Sequence, residues 1–175
     1  IDISDIEEVE FRKDLEIDFN DAGHGLEHDK KNRLSEIDKK LIELGILFSE
    51  NIAKDKTELQ FSKDELRGLS KNELTNLSKS GEKFVITMAY PDINAVTENC
   101  TVRKTRETTW KAFNNRAVNE NSRILKEAVV LRNEKAGLFG FKTWADYRLQ
   151  NRMAKSPKNV KAMYDDLIPK LHKAA

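Results

Sequence analysis

The chain has 175 residues, 38% hydrophobic and 35% charged, which suits one ordinary domain or two small ones and is wetter than an average globular protein without being disordered. Seven Gly and three Pro leave few turns, against a many-stranded sandwich or barrel, and a single Cys cannot form an internal disulfide, which points to a reducing, cytoplasmic compartment. No apolar run approaches the roughly 20 residues of a membrane span, so no membrane partner is expected.

The net charge of +1 hides an asymmetry, because residues 1–30 hold eleven acids and three bases. Further on, bases and acids are interleaved, as in Arg103, Lys104, Arg106 and Glu107. That is the pattern of solvated helix faces rather than a phosphate-binding stripe, and no nucleic-acid partner is expected. A start on Ile1 and a helical pattern still running at Leu171-His172-Lys173-Ala174-Ala175 read as a piece of a longer protein.

Val9, Phe11, Leu15 and Phe19 have loose helical spacing, and Gly23 and Gly25 mark a stop and a turn. Leu34, Ile37, Leu41, Leu44, Phe48 and Ile52 then recur at steps of three and four, predicting a helix of about 25 residues with one apolar stripe. Residues 57–61 alternate as a short strand, and Ser62 with Glu65 reads as a capping box opening a small helix. A second small helix is expected over 70–78. Residues 83–90 form a β-branched and aromatic strand stopped by Pro91. The two strands are expected to pair as a ribbon covered by helices.

Beyond Asp92 the pattern is helical. Ile93, Val96 and Cys100 share one face, and a helix over 103–118 turns Trp110, Phe113 and Ala117 inward. Ser122 is expected to cap a further helix carrying Ile124, Leu125, Ala128, Val129, Leu131 and Leu138, ended by Gly140. Thr143 with Asp146 opens the next helix, with Trp144, Tyr147 and Met153 buried, and Pro157 stands at the start of the last. The fold class is mainly α: a helical-hairpin or bundle segment with one short two-stranded β ribbon. Its expected parts are an acidic lead-in helix and turn over 1–27, a long helix plus ribbon over 28–100, and a helical bundle over 101–175.

Several phrases have a familiar order. The run Phe139-Gly140-Phe141-Lys142-Thr143-Trp144-Ala145-Asp146-Tyr147-Arg148-Leu149, followed by Met153-Ala154-Lys155-Ser156, resembles a segment of the zinc metallo-oligopeptidase family of thimet oligopeptidase, neurolysin and saccharolysin. The strand from Phe84 to Pro91, Thr105-Arg106-Glu107, Phe113 to Ala117, Asn121-Ser122 through Arg132, Phe48 to Asn51 and Phe61 to Leu69 are similar to other phrases of that family. The resemblance runs from about Asp14 to Leu167.

The resemblance implies a partial neurolysin-like fold and a parent enzyme, a metalloendopeptidase that hydrolyses short peptides in a deep channel. It implies zinc in the complete enzyme, held by a His-Glu-x-x-His helix and a later Glu. No such motif occurs in these residues. The segment is therefore expected to be scaffold and channel wall, inactive alone, to bind no zinc, and to need a missing C-terminal catalytic region. No catalytic, cofactor-binding or metal residue is assigned. The alternative is a stand-alone helical protein–protein interaction module.

Other patterns carry less. His24-Gly25-Leu26-Glu27-His28 matches H-x-x-E-H, an inverted zincin pattern that needs both His on one face of a continuous helix. The flanking Gly23 and the internal Gly25 instead predict a turn with two exposed His. Cys100, with no His near it in sequence, reads as a structural thiol. His172 reads as a solvated helix side chain, and Trp110, Phe113, Trp144 and Tyr147 as core rather than a stacking platform. Glu120, Glu127 and Glu134, beside Lys126 and Arg132, read as a charged face with pairing within its own helix.

Overall fold

A computed structural model describes residues 6–174, so the outermost ends of the segments expected over 1–27 and 101–175 lie outside the described residues. The fold is mainly α with one small antiparallel sheet. In order the elements are α1 (Ile6–Asp21), α2 (His28–Lys54), β1 (Glu58–Phe61), α3 (Lys71–Asn76), β2 (Ser78–Ser80), β3 (Lys83–Thr87) and α4 (Tyr90–Asn94), which runs into a π turn over Ala95–Asn99. Then follow α5 (Arg103–Asn114), α6 (Val118–Leu138), α7 (Trp144–Leu149) and α8 (Pro157–Ala174). The chain forms two compact units, Ile1–Gly45 with Leu125–Ala175, and Ile46–Ile124.

The second unit holds the larger core. Phe61, Leu66, Leu77, Phe84, Ile86, Met88, Ile93, Val96 and Cys100 pack together, and Ile86, Leu66 and Val96 are fully buried. The expected ribbon forms, with Glu58 opposite Thr87 and Phe61 opposite Phe84. A third strand, β2, flanks it, giving the order β1-β3-β2. Ser78-Lys79-Ser80 is exposed throughout and so lacks the apolar alternation by which a strand is read from sequence. The central strand stops at Thr87, short of Pro91, because Asp92 takes the Thr87 N–H (2.9 Å) and hydroxyl (2.6 Å).

The Ser62–Glu65 reciprocal bonds form, with Ser62 N to Glu65 Oε2 at 2.8 Å and Glu65 N to Ser62 Oγ at 3.3 Å. They brace a run of turns rather than the expected helix. These turns are strapped to the segment after the π turn. Thr101 N donates to Arg67 O at 2.7 Å, Thr105 Oγ1 to Glu65 O at 2.8 Å, and the buried Cys100 thiol to Glu65 O at 3.3 Å.

The expected helix over 103–118 ends at Asn114, and the next begins at Val118 rather than at Ser122. Between them Ala117 adopts φ +50°, and its N–H is taken by Asp55 at 2.9 Å. Ser122 lies inside α6 and donates to Val118 O at 2.6 Å. Trp110, expected inward, is 59% exposed, and Thr105 and Thr109 are the buried residues of α5.

In the first unit Leu34, Ile37, Leu44, Ala136 and Tyr147 are buried. The α2 stripe faces inward as its spacing predicts. Gly23, at φ +85°, lets the turn after α1 approach Leu34 so closely that a Cβ there would lie 2.6 Å from Leu34 Cδ2. Among the described residues the charged face of α6 pairs across to α2 rather than, as expected, within its own helix. Glu134 pairs with Arg33, Glu127 with Lys40, and Lys135 with Asp38. Of the apolar residues that α6 carries, Leu125 and Val129 are exposed and Ile124 is buried. Met153, expected buried, is fully exposed in the turns after α7.

Candidate functional site

A concave region of the first unit is built around Tyr147. Gly140, at φ +81°, ends α6, and Phe141 N returns to Ala136 O at 3.0 Å, a glycine-terminated helix end. Thr143 then caps α7: its hydroxyl accepts from Asp146 N at 3.1 Å and donates to Asp146 Oδ2 at 2.6 Å. These two devices place Tyr147 among three rings. Phe139 stacks on it at 5.1 Å between centroids, while Phe141 and Trp144 lie tilted at 5.5 and 5.4 Å.

Two clefts share Tyr147 and Asp21. One, of about 440 Å³, is lined by Asp14, Asp18 and Asp21 on one side and Arg148, Asn151 and Arg152 on the other. The second, of about 300 Å³, is more apolar, with Leu26, Leu138, Phe139 and Phe141. Burial, and then the hydrogen bond to the Asp21 carboxylate, hold the Tyr147 phenol well above its ordinary range. At neutral pH it stays protonated, a donor that fixes orientation rather than a base.

The three aspartates stand at i, i+4 and i+7, one face of α1. Their spacing is visible in the sequence, but a count of net charge over residues 1–30 conceals it. Trp144 and Tyr147 belong to the ring cluster, as expected, and Tyr147 is 4% exposed.

Zinc needs about three converging protein ligands, and the residues present do not fit that requirement. His24 lies in the turn after α1 with its ring 5.0 Å from that of Phe19, and His28 is the first residue of α2. No continuous helix carries both. His172 is in the last turn of α8. Among the described residues no group of three or more His, Cys, Asp or Glu is placed to hold a metal ion. Cys100 is a free, buried thiol, and among the described residues no helix is long and apolar enough to cross a membrane.

The fold and its phrases thus point to a class by sequence rather than by reactive groups. The model of peptidase family M3 matches residues 96–175. The chain is 36% identical to a thimet-like oligopeptidase of Dictyostelium discoideum over 87% of its own length and 23% of the relative's. It is 35% identical to saccharolysin of Saccharomyces cerevisiae over 96% of its length and 25% of that protein's. To oligopeptidase A of Escherichia coli it is 30% identical, over 86% and 24%. Over most of its length the chain is similar to these oligopeptidases, and its residues 96–175 carry the match to family M3. It spans about a quarter of the length of these curated relatives.

Proposed function

We propose that this chain is a scaffold segment of a zinc-dependent, cytoplasmic oligopeptidase, forming part of the wall of a channel that admits short peptides. The observation that supports this most is a mismatch of coverage. The relatives match 86–96% of this chain but about a quarter of themselves, and no His-Glu-x-x-His occurs in these residues. In this reading the zinc and its ligands belong to another region of the whole protein, and this chain contributes helices and shape.

The surface of α8 supports the same reading. It has no buried residue, and Met163, Tyr164, Leu167, Ile168 and Leu171 are 40–57% exposed. A soluble protein seldom leaves so continuous an apolar face bare unless something packs on it, and in this reading the rest of the larger protein does.

The test is to assay the chain on an internally quenched fluorescent nonapeptide, with zinc and with a chelator, and to read the open frame past the codon for Ala175. No turnover by the chain and a downstream His-Glu-x-x-His are the expected results. Chelator-sensitive cleavage by the chain itself would overturn the scaffold reading. A stop codon in place of the motif, with a monomer that binds no hydrophobic dye, would favour the interaction module.

A further inference from the structure

A cleft in the second unit carries charge of one sign. It encloses about 600 Å³ and is lined by Lys63, Lys71, Leu74, Thr75, Leu77, Lys79 and Phe84, with no carboxylate among them. None of the three lysines makes an ion pair among the described residues. The nearby acids are committed elsewhere. Glu65 accepts from Ser62, and Glu73 accepts from Ser70 and from Asn99. Those bonds hold both carboxyls below their ordinary range. Leu77 and Phe84 form an apolar floor, and the Lys79 ammonium lies 4.8 Å from the centre of the Phe84 ring.

The rim of this cleft is a sheet edge. β2 pairs only with β3, Lys79 lies opposite Phe84, and all three β2 residues are exposed. Among the described residues no hydrogen bond is made from β2 to anything beyond β3. A lysine on an edge strand discourages pairing with like chains. That role explains neither Lys63 and Lys71 nor the apolar floor beside them.

We propose that this cleft binds an acidic peptide, added as a strand along β2 with its carboxylates on Lys63, Lys71 and Lys79. An aliphatic or aromatic side chain of the peptide would rest on Leu74, Leu77 and Phe84. Strand addition supplies affinity through the backbone and selects side chains through the pocket below. A peptide answers both features, the open backbone edge and the unpaired charge, where a small anion answers only the second. The inference stands on this unit's own residues and does not depend on the peptidase reading.

The experiment is fluorescence anisotropy with the whole 175-residue chain and a fluorescein-labelled peptide of sequence Glu-Leu-Glu-Phe-Glu-Leu-Glu. Two companion peptides carry Lys in place of Glu, or N-methyl groups on alternate amides. The acidic peptide is expected to bind, and affinity to fall about tenfold or more in Lys71→Glu/Lys79→Glu and as salt is raised. Because these side chains are exposed, the variant should retain the wild-type circular dichroism. Lys71→Gln/Lys79→Gln should give a smaller loss. The Lys-bearing and N-methylated peptides should bind weakly. No binding of the acidic peptide, equal binding by the charge-reversed variant, or equal binding of either companion peptide would each overturn the proposal.

Discussion

Asn51 and Asn121, 70 residues apart in the chain, share a side-chain hydrogen bond. The Asn51 amide donates to Asn121 Oδ1 at 2.9 Å, and the Asn121 amide donates to the Phe48 carbonyl at 3.1 Å. Asn121 is 5% exposed. The phrases around Phe48–Asn51 and Asn121–Ser122, which resemble the oligopeptidase family, therefore meet in space at the end of α2 and the start of α6. A side-chain amide suits this place because it donates and accepts at once. Neither Asp nor Ala does both.

Asn121→Ala should accordingly destabilise the chain by about 1–3 kcal/mol, the cost of leaving a buried partner group unsatisfied. Asn121→Asp should also destabilise it, since a carboxylate has nothing to donate to the Phe48 carbonyl. Urea denaturation followed by circular dichroism measures both. A midpoint unchanged in Asn121→Ala would mean that water replaces the network without loss.

Stability should fall in acid through identifiable carboxylates. Glu134 is held below the ordinary range chiefly by its hydrogen bond to Arg33, whose Nε lies 2.6 Å from Oε1 and whose other amino group lies 3.0 Å from Oε2. Asp55 is held down first by Thr57 and then by the Ala117 N–H. For groups whose pKa is lowered by folding, the stabilisation is fully present above the unfolded-state pKa and is lost as pH falls through the folded value. The urea midpoint should therefore drop from the ordinary carboxylate range downward. Glu134→Gln should start less stable at neutral pH and lose less on acidification. The Arg33–Glu134 effect should be small, because the two side chains are 45% and 38% exposed and solvent screens them. Parallel pH profiles for wild type and variant would remove Glu134 from the account.

Among the glycines, Gly68 is the least tolerant of a side chain. Its φ is +105°, and a Cβ would clash with the Asn99 carbonyl oxygen and sit 2.8 Å from Thr101 N. Both obstacles are backbone, and that backbone is strapped to the Arg67 carbonyl by Thr101. Gly68→Ala should thus cost more than about 1 kcal/mol from the left-handed conformation alone, with the displaced segment adding to it. Gly81→Ala is the contrast. Its φ is +62° but a Cβ there meets nothing, so only the conformational part remains. Thermal melts of the two variants should differ clearly, and equal melts would show that the segment after the π turn yields.

The helices of this chain were legible where burial is one-sided. Leu34, Ile37 and Leu44 face inward as their spacing predicts, and β3 is buried at Phe84, Val85 and Ile86. What periodicity could not supply was set by contacts distant in sequence. Ala117 takes a left-handed conformation under an Asp55 hydrogen bond, which splits the chain into α5 and α6 where no Gly or Pro marks a break. β2 is polar throughout and exists only because β3 lies beside it. On α6, Glu127 and Glu134 reach across to α2, a choice between partners that one helix's sequence does not contain. The cleft beside Tyr147 needed α1 and α7 brought together, although the helical spacing of Asp14, Asp18 and Asp21 is present in the sequence.

The same substitution at two positions of α5 should have opposite signs. Thr105 and Thr109 stand one turn apart and are 2% and 0% exposed. The Thr105 hydroxyl donates to the Glu65 carbonyl at 2.8 Å, so it holds the turns over 62–69 in place. The Thr109 hydroxyl is buried with no partner among the described residues. Valine keeps nearly the same shape and replaces the hydroxyl with a methyl. Thr109→Val should stabilise the chain by about 1 kcal/mol, because an unsatisfied buried hydroxyl carries a desolvation cost that a methyl does not. Thr105→Val should destabilise it by a similar or larger amount, since the bond is lost and the Glu65 carbonyl keeps only the weak Cys100 thiol contact at 3.3 Å. Both variants belong in one set of urea curves with wild type between them. A destabilised Thr109→Val would mean that its hydroxyl is satisfied in solution, by a bound water or by the carbonyl one turn back.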